Sequence, residues 1–188
     1  MFRLSLPFLV RPLTLIAALA VLLALSGAGG AKADSGARNY LYILGAEPLC
    51  EEEHACPDVA MADNGDWIEI AGEGTLSIHP NSVTGGGEFT HHFAGGSVSG
   101  TWAAKQLLGF HSFGSGSAQG APPEFEGGRV LMRVTLSVGG TPVHDAILQF
   151  DCLLGHPPAG AQEGVRLAVQ DALNFNEKVS GDTVLIRQ

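Results

Sequence analysis

The sequence predicts an all-β protein: an antiparallel meander of roughly 8–10 short strands that closes into a β-barrel, with a β-sandwich as the alternative. Two observations predict this class. The first is that most of the glycines after residue 33, out of 26 in the chain, fall in clusters, and such clusters are typical of turns between strands. The second is that the segments between the clusters are short and rich in Val, Ile, Leu, Phe and Thr, as strands are. A meander this long is expected to close on itself or to form two packed sheets, because open edges favour aggregation.

The strands follow from the apolar and β-branched runs between these clusters. Residues 46–65 and 114–127 are predicted to be loops, because they are rich in Pro, Gly, Ser and acidic residues. Only residues 162–173 could compete as a helix, and Gly164 with the β-branched Val165 argues against one. The predicted strands are 39–44, 66–71, 73–79, 87–94, 97–104, 106–113, 128–138, 143–154, 164–170 and 182–187.

The N-terminal segment has the three-part form of a secretory signal. A basic end precedes an apolar run over residues 13–25, and an A-x-A cleavage site ends at Ala33. The run is shorter than the roughly 20 residues that a membrane-spanning helix needs. We therefore predict a cleavable signal peptide over 1–33 and a single all-β domain over 34–188. The domain is expected to be secreted or periplasmic, with no stable membrane anchor after cleavage.

The net charge of the chain limits the classes of partner that the domain is expected to bind. The whole chain has 10 basic and 19 acidic residues and a net charge of −9. Residues 1–33 contain three of the basic residues and none of the acidic ones, so 7 basic residues face 19 acidic ones in the domain and its net charge is −12. An acidic surface keeps a protein soluble and disfavours binding to nucleic acid. The partner is otherwise unknown.

Three cysteines lie in the predicted domain. They allow three single pairings, and Cys50–Cys56 is favoured because the loop between them is short, which leaves Cys152 as a buried thiol in an apolar strand. One C-x5-C pair lacks the usual spacing of zinc ligands, so no metal is predicted. We find no cofactor motif either.

Two hairpins can be paired by placing apolar residues opposite one another. In the first, a two-residue turn at Gly95-Gly96 puts His91 on the apolar face. Opposed on that face are Phe93 with Val98, His91 with Gly100, and Phe89 with Trp102.

In the second hairpin, a two-residue turn at Gly139-Gly140 would place apolar residues opposite polar ones, so an odd loop of three or five residues is predicted instead. This register also sets Arg129 opposite Asp151 as a structural ion pair. The apolar pairs are then Val130 with Phe150, Met132 with Leu148, and Val134 with Ala146.

His91 is the candidate site residue with the clearest rationale. An inward histidine could bind a ligand or act as a base, although a histidine hydrogen-bonded within a packed core is the simpler interpretation. Trp102 and His111 are the other candidate ligand-binding residues. Gly100-Thr101-Trp102 is similar to the G-x-W element of the calycin barrels, the lipocalin and avidin group. That resemblance covers three residues, and we carry over no binding residue from it. Catalytic residues are unknown.

Three classes of function remain open. The first is a non-enzymatic ligand- or surface-binding module, which requires an apolar pocket next to His91. The second is a structural or interaction protein with no small-molecule site. The third is an extracytoplasmic hydrolase or barrel cyclase, in which at least two side chains would meet in one cleft out of His91, His111, Glu88, Asp145 and Asp151. The absence of a nucleophile or metal motif favours the first class.

Overall fold

A computed structural model describes residues 38–188. The predicted signal peptide lies outside the described residues. Residues 38–188 form ten antiparallel strands in one hydrogen-bonded sheet, joined by turns and two short 3-10 helices. Among these residues no helix is long and apolar enough to cross a membrane.

The strand bounds are as follows: β1 Asn39–Leu44, β2 Asp58–Ala62, β3 Trp67–Ser77, β4 Ser82–Phe93, β5 Gly96–Ser115, β6 Glu126–Val138, β7 Thr141–Cys152, β8 Gly164–Val169, β9 Asn174–Ser180 and β10 Thr183–Arg187. The 3-10 helices cover Leu49–Glu51 and Gly116–Gln119.

Eight of the strands close into a ring. The order is β3-β2-β9-β8-β7-β6-β5-β4, and β4 pairs back with β3 along its whole length. On its other side β3 pairs with β2 near its start and with β1 from Gly72 onward, so β1 and β10 branch off the ring as a short extension. The predicted all-β class is therefore confirmed, as one barrel-like sheet rather than two separate ones.

Two strands were missed and four predicted ones are merged. Strand β2 lies within the predicted loop 46–65, and β9 lies in a stretch for which no strand was predicted. Strand β3 joins 66–71 with 73–79, and β5 joins 97–104 with 106–113. Strand β5 was predicted as two strands because its pairing with β6 contains three irregularities of register. Each irregularity reverses which residues of β5 face inward, so the alternation in the sequence is interrupted.

The predicted register of the first hairpin is wrong by two residues. Phe93 pairs with Gly96, so the turn is Ala94-Gly95. Phe89 then lies opposite Gly100, where an added Cβ would be 2.7 Å from the phenyl ring. The bulky ring thus faces a glycine instead of Trp102. A shift of two preserves the faces, so His91 stays on the apolar face and lies opposite Val98.

The second hairpin has the predicted pairs but not the predicted loop. All three apolar pairs are present, and Arg129 lies opposite Asp151. The loop is nevertheless the two-residue turn Gly139-Gly140, both residues of which have positive φ. A bulge at Val143, between the pairs Leu136–His144 and Ser137–Pro142, absorbs the odd residue. The tight turn and the apolar register are therefore compatible.

The core fills most of the ring interior. Its largest fully buried side chains include Tyr42, Phe150 and Met132. Large aromatic rings fit because glycines line parts of β3 and β4: a Cβ on Gly72 would lie 2.6 Å from the indole of Trp102. The packed part of the core ends before one rim of the ring, and a cavity begins there.

Candidate functional site

One end of the ring contains an apolar cavity of about 410 Å³, which we call the mouth cavity. Its volume falls in the range of small-molecule sites, roughly 300–1,000 Å³. Ten of its twelve lining residues are apolar, and the other two are histidines. The lining consists of Ile68, Phe89, His91, Val98, Leu136, Val138, Val143, His144, Val169, Ala172, Leu173 and Phe175.

The topology brings these residues to one rim. They come from the beginnings of β3, β5, β7 and β9, from the ends of β4, β6 and β8, and from the turn between β8 and β9. In an antiparallel ring, the beginning of one strand lies beside the end of its neighbour. Side chains at inward positions near each of these termini therefore converge. Because Val143 is 46% exposed, the cavity opens to solvent.

His91 lies in the wall of the mouth cavity with one defined polar partner. Its Nε2 is 3.1 Å from Asp66 Oδ2, and the two side chains are only 24% and 16% exposed. The ring also meets Phe175 edge-on, with 5.3 Å between centroids, and lies 5.5 Å from Phe93. These contacts fix the orientation of the imidazole and leave part of the ring facing the apolar cavity, where a ligand can contact it.

His144 lies near the start of β7, on the inward face of that strand. It pairs with Leu136 in the same register that pairs Ala146 with Val134, so its side chain shares the face of Ala146. Its neighbour Val143 also lines the cavity, although successive residues of a regular strand face opposite ways, because Val143 is the bulged residue. The regular register therefore adds a second imidazole to the site, and the bulge adds Val143.

The mouth cavity suits a mainly apolar molecule with one or two polar groups. Its walls offer aliphatic and aromatic area, and the imidazoles provide the polar side chains that can orient a ligand. With Nε2 donating to Asp66, a neutral His91 ring offers Nδ1 to a ligand as an acceptor, and a neutral His144 ring can donate or accept, so together they can meet a hydroxyl, carbonyl or amide.

The other two candidate ligand-binding residues are not brought together with His91. Trp102 is buried in the core, where its Nε1 donates a hydrogen bond to the Ala71 carbonyl oxygen at 3.0 Å. His111 is exposed and its ring meets that of Phe113 edge-on, with 5.7 Å between centroids. Neither lines the mouth cavity.

The predicted cysteine chemistry is confirmed. Cys50 and Cys56 form a disulfide, and Cys152 is a buried free thiol. Burial raises the pKa of Cys152 to about 12. The thiol is therefore protonated at neutral pH and is a poor nucleophile.

Arg129, near the start of β6, meets Asp151, near the end of β7. Arg129 Nε lies 2.6 Å from Asp151 Oδ1, and its Nη2 donates to Oδ2 at 3.2 Å. Lys178 Nζ, almost fully buried, donates to Oδ2 at 2.7 Å. Burial alone would raise the pKa of Asp151, but hydrogen bonds from Arg129 and Lys178 outweigh it and lower the pKa. Sequence analysis missed Lys178.

Several cavity residues were also missed. Leu173 and Phe175 lie at the turn into β9, for which no strand was predicted. His144 was visible in the sequence only as an isolated histidine. Its inward direction follows from the apolar register predicted for the second hairpin, because His144 lies two residues before the inward Ala146 on the same strand.

No group of three or more His, Cys, Asp or Glu side chains within residues 38–188 is arranged to hold a metal ion. Comparisons with protein-family models, with curated proteins and with solved structures found no match for this chain.

Proposed function

We propose that this protein is an extracytoplasmic binding module that holds a small, mainly apolar ligand in the mouth cavity. The observation that best supports this proposal is the cavity itself. It has a volume of about 410 Å³, is lined by apolar side chains next to His91, and is open at one rim. The Cys50–Cys56 disulfide supports the compartment, because disulfides persist mainly in oxidising environments. Cleavage of a signal peptide over 1–33 is part of the proposal.

The placement of the ionisable groups favours binding over catalysis. Of the five residues proposed for an enzyme, His91 alone lines the mouth cavity. Glu88 and Asp145 line other depressions, outside the mouth cavity. Asp151 is engaged by Arg129 and Lys178. The enzyme hypothesis required two of these five residues in one cleft, and the mouth cavity contains one. Its second imidazole, His144, lies outside that set, and ten apolar side chains line the cavity with the two histidines, so binding is the simpler function.

Substitution of Val143 with glutamate is expected to weaken binding of an apolar ligand at least tenfold. Val143 lines the cavity and is 46% exposed, so the change places a charge at an apolar wall with little effect on folding. The measurement is a fluorescence titration with the uncharged apolar probe N-phenylnaphthylamine.

Val179→Glu is the matched control. Val179 is also a valine, is 50% exposed, and does not line the mouth cavity. We expect this variant to bind the probe as the wild type does. Equal affinities for wild type, Val143→Glu and Val179→Glu would show that the probe binds elsewhere and would contradict the proposal.

A further inference from the structure

Asp58, the first residue of β2, is a carboxyl group without a protein partner. It is 0% exposed, and neither carboxylate oxygen accepts a hydrogen bond from any group in residues 38–188. Burial and then the neighbouring Glu163 raise its pKa well above the ordinary range. Buried polar groups in folded proteins nearly always have a partner, so this carboxyl requires an explanation.

Other oxygen atoms converge on the same place. A methyl group built on Gly164 would lie 3.1 Å from Asp58 Oδ1, 3.4 Å from the Gly181 carbonyl oxygen and 3.6 Å from the Ser180 carbonyl oxygen. We call these three oxygens, above Gly164, the Asp58 cradle. A carboxylate oxygen and two carbonyl oxygens are all acceptors. An occupant of the cradle must therefore bring positive charge or donors.

The surrounding charges are also unbalanced. Glu163 and Asp182 both act on Asp58 to raise its pKa, and Lys178 acts to lower it. Lys178 is itself bonded to Asp151, which Arg129 also engages. Ionised Asp58 would therefore lie beside Glu163 with no cationic side chain of its own. A bound cation would stabilise that ionised form.

The disulfide loop holds the cradle in shape. The Gly181 amide donates to the His54 carbonyl oxygen at 3.0 Å, and the Asp182 amide donates to the Ala55 carbonyl oxygen at 3.0 Å. Both acceptors belong to the loop closed by Cys50 and Cys56. The segment that supplies the two carbonyls is thus anchored to a covalently closed loop, which reduces the cost of ordering it around an ion.

We propose that the Asp58 cradle binds a hard divalent cation of the calcium type. Calcium is bound in proteins by carboxylate and main-chain carbonyl oxygens, and extracellular calcium modules bind with dissociation constants of roughly 10⁻⁴–10⁻³ M. The cradle lies at the opposite end of β8 from the mouth cavity, which that strand reaches at Val169. Neither site depends on the other, so the two proposals can fail separately.

The test is thermal unfolding of the purified protein in a chelator and in 10 mM CaCl₂. Calcium is expected to raise the Tm of the wild type by about 3–10 °C, because a ligand that binds only the native state stabilises it. Asp58→Asn, which keeps the shape of the side chain, should lose this rise. Calorimetric titration of the wild type with CaCl₂ should give one site per chain, a readout that does not depend on how the variant folds.

Asp63→Asn is the matched control. Asp63 lies in an exposed turn that is rich in oxygen atoms but outside the cradle, and this variant should retain the full response to calcium. The proposal would be overturned by no response of the wild type to calcium in either measurement, or by an equal response in Asp58→Asn. Stabilisation by acid alone, without any effect of calcium, would also overturn it, because a proton would then satisfy Asp58.

Discussion

Asp151→Ala is expected to destabilise the domain by about 3–5 kcal/mol, the usual cost of removing one partner from a buried ion pair. Asp151 is 0% exposed and accepts hydrogen bonds from Arg129, Lys178 and Gln149. Without it, the Lys178 ammonium stays buried and loses its carboxylate. Arg129 is 38% exposed at its side chain and can turn toward water, so Lys178 dominates the cost.

The loss of unfolding free energy in Asp151→Ala should depend on pH. The pKa of Asp151 is lowered in the folded state, so its ionised form stabilises the fold above the pKa of an unfolded aspartate, about 3.9. That contribution disappears as the pH falls through the folded pKa. The difference in unfolding free energy between wild type and variant should therefore be largest near pH 7 and shrink below about pH 4.

Asp145→Ala serves as the control in denaturant unfolding at both pH values. Asp145 lies on the same strand, is exposed, and accepts one hydrogen bond from Thr135 at 2.8 Å. Its removal should cost no more than about 1 kcal/mol. A cost for Asp151→Ala within 1 kcal/mol of that for Asp145→Ala would contradict the role given to the ion pair.

Trp102→Ala is expected to cost about 3–5 kcal/mol, the range for truncating a large buried aromatic. The indole is 3% exposed, packs on Gly72, and donates to the Ala71 carbonyl oxygen at 3.0 Å. Truncation leaves a void against a glycine, which has no side chain to fill it, and an unsatisfied carbonyl. Chemical unfolding of the variant measures the loss.

Trp102→Phe separates packing from ligand binding. It keeps most of the buried ring and loses the hydrogen bond, so its cost should be about 1–3 kcal/mol. Because Trp102 does not line the mouth cavity, the affinity for N-phenylnaphthylamine should stay at the wild-type value. A weakened affinity in a stably folded Trp102→Phe would instead support the prediction that Trp102 binds ligand.

The parts of the fold that sequence analysis predicted are those where inward apolar residues alternate without interruption. Strand β6 has Val130, Met132 and Val134 on one face, and only one register of β7 matches them. Strand β9 gave no such signal, because Phe175 is its one buried residue. The bulges of β5 hid its length by reversing the alternation three times.

The candidate site was predicted only in part, for a related reason. His91 lies two residues from Phe89 on one strand, so its inward direction follows from local alternation. The other walls of the mouth cavity come from strands distant in sequence. Val143 shares the cavity with His144 only because a bulge turns Val143 toward the same face. The Asp58 cradle depends on main-chain carbonyls, which leave no trace in side-chain identity.

The central claim is that the mouth cavity takes an apolar ligand. It is tested most directly by ¹H–¹⁵N spectra of the labelled protein titrated with N-phenylnaphthylamine. We predict saturable shifts confined to amides at the cavity rim, including those of His91, Val143 and Phe175, with amides near Asp58 unchanged. Shifts scattered over the surface, or none at saturating probe, would contradict the claim.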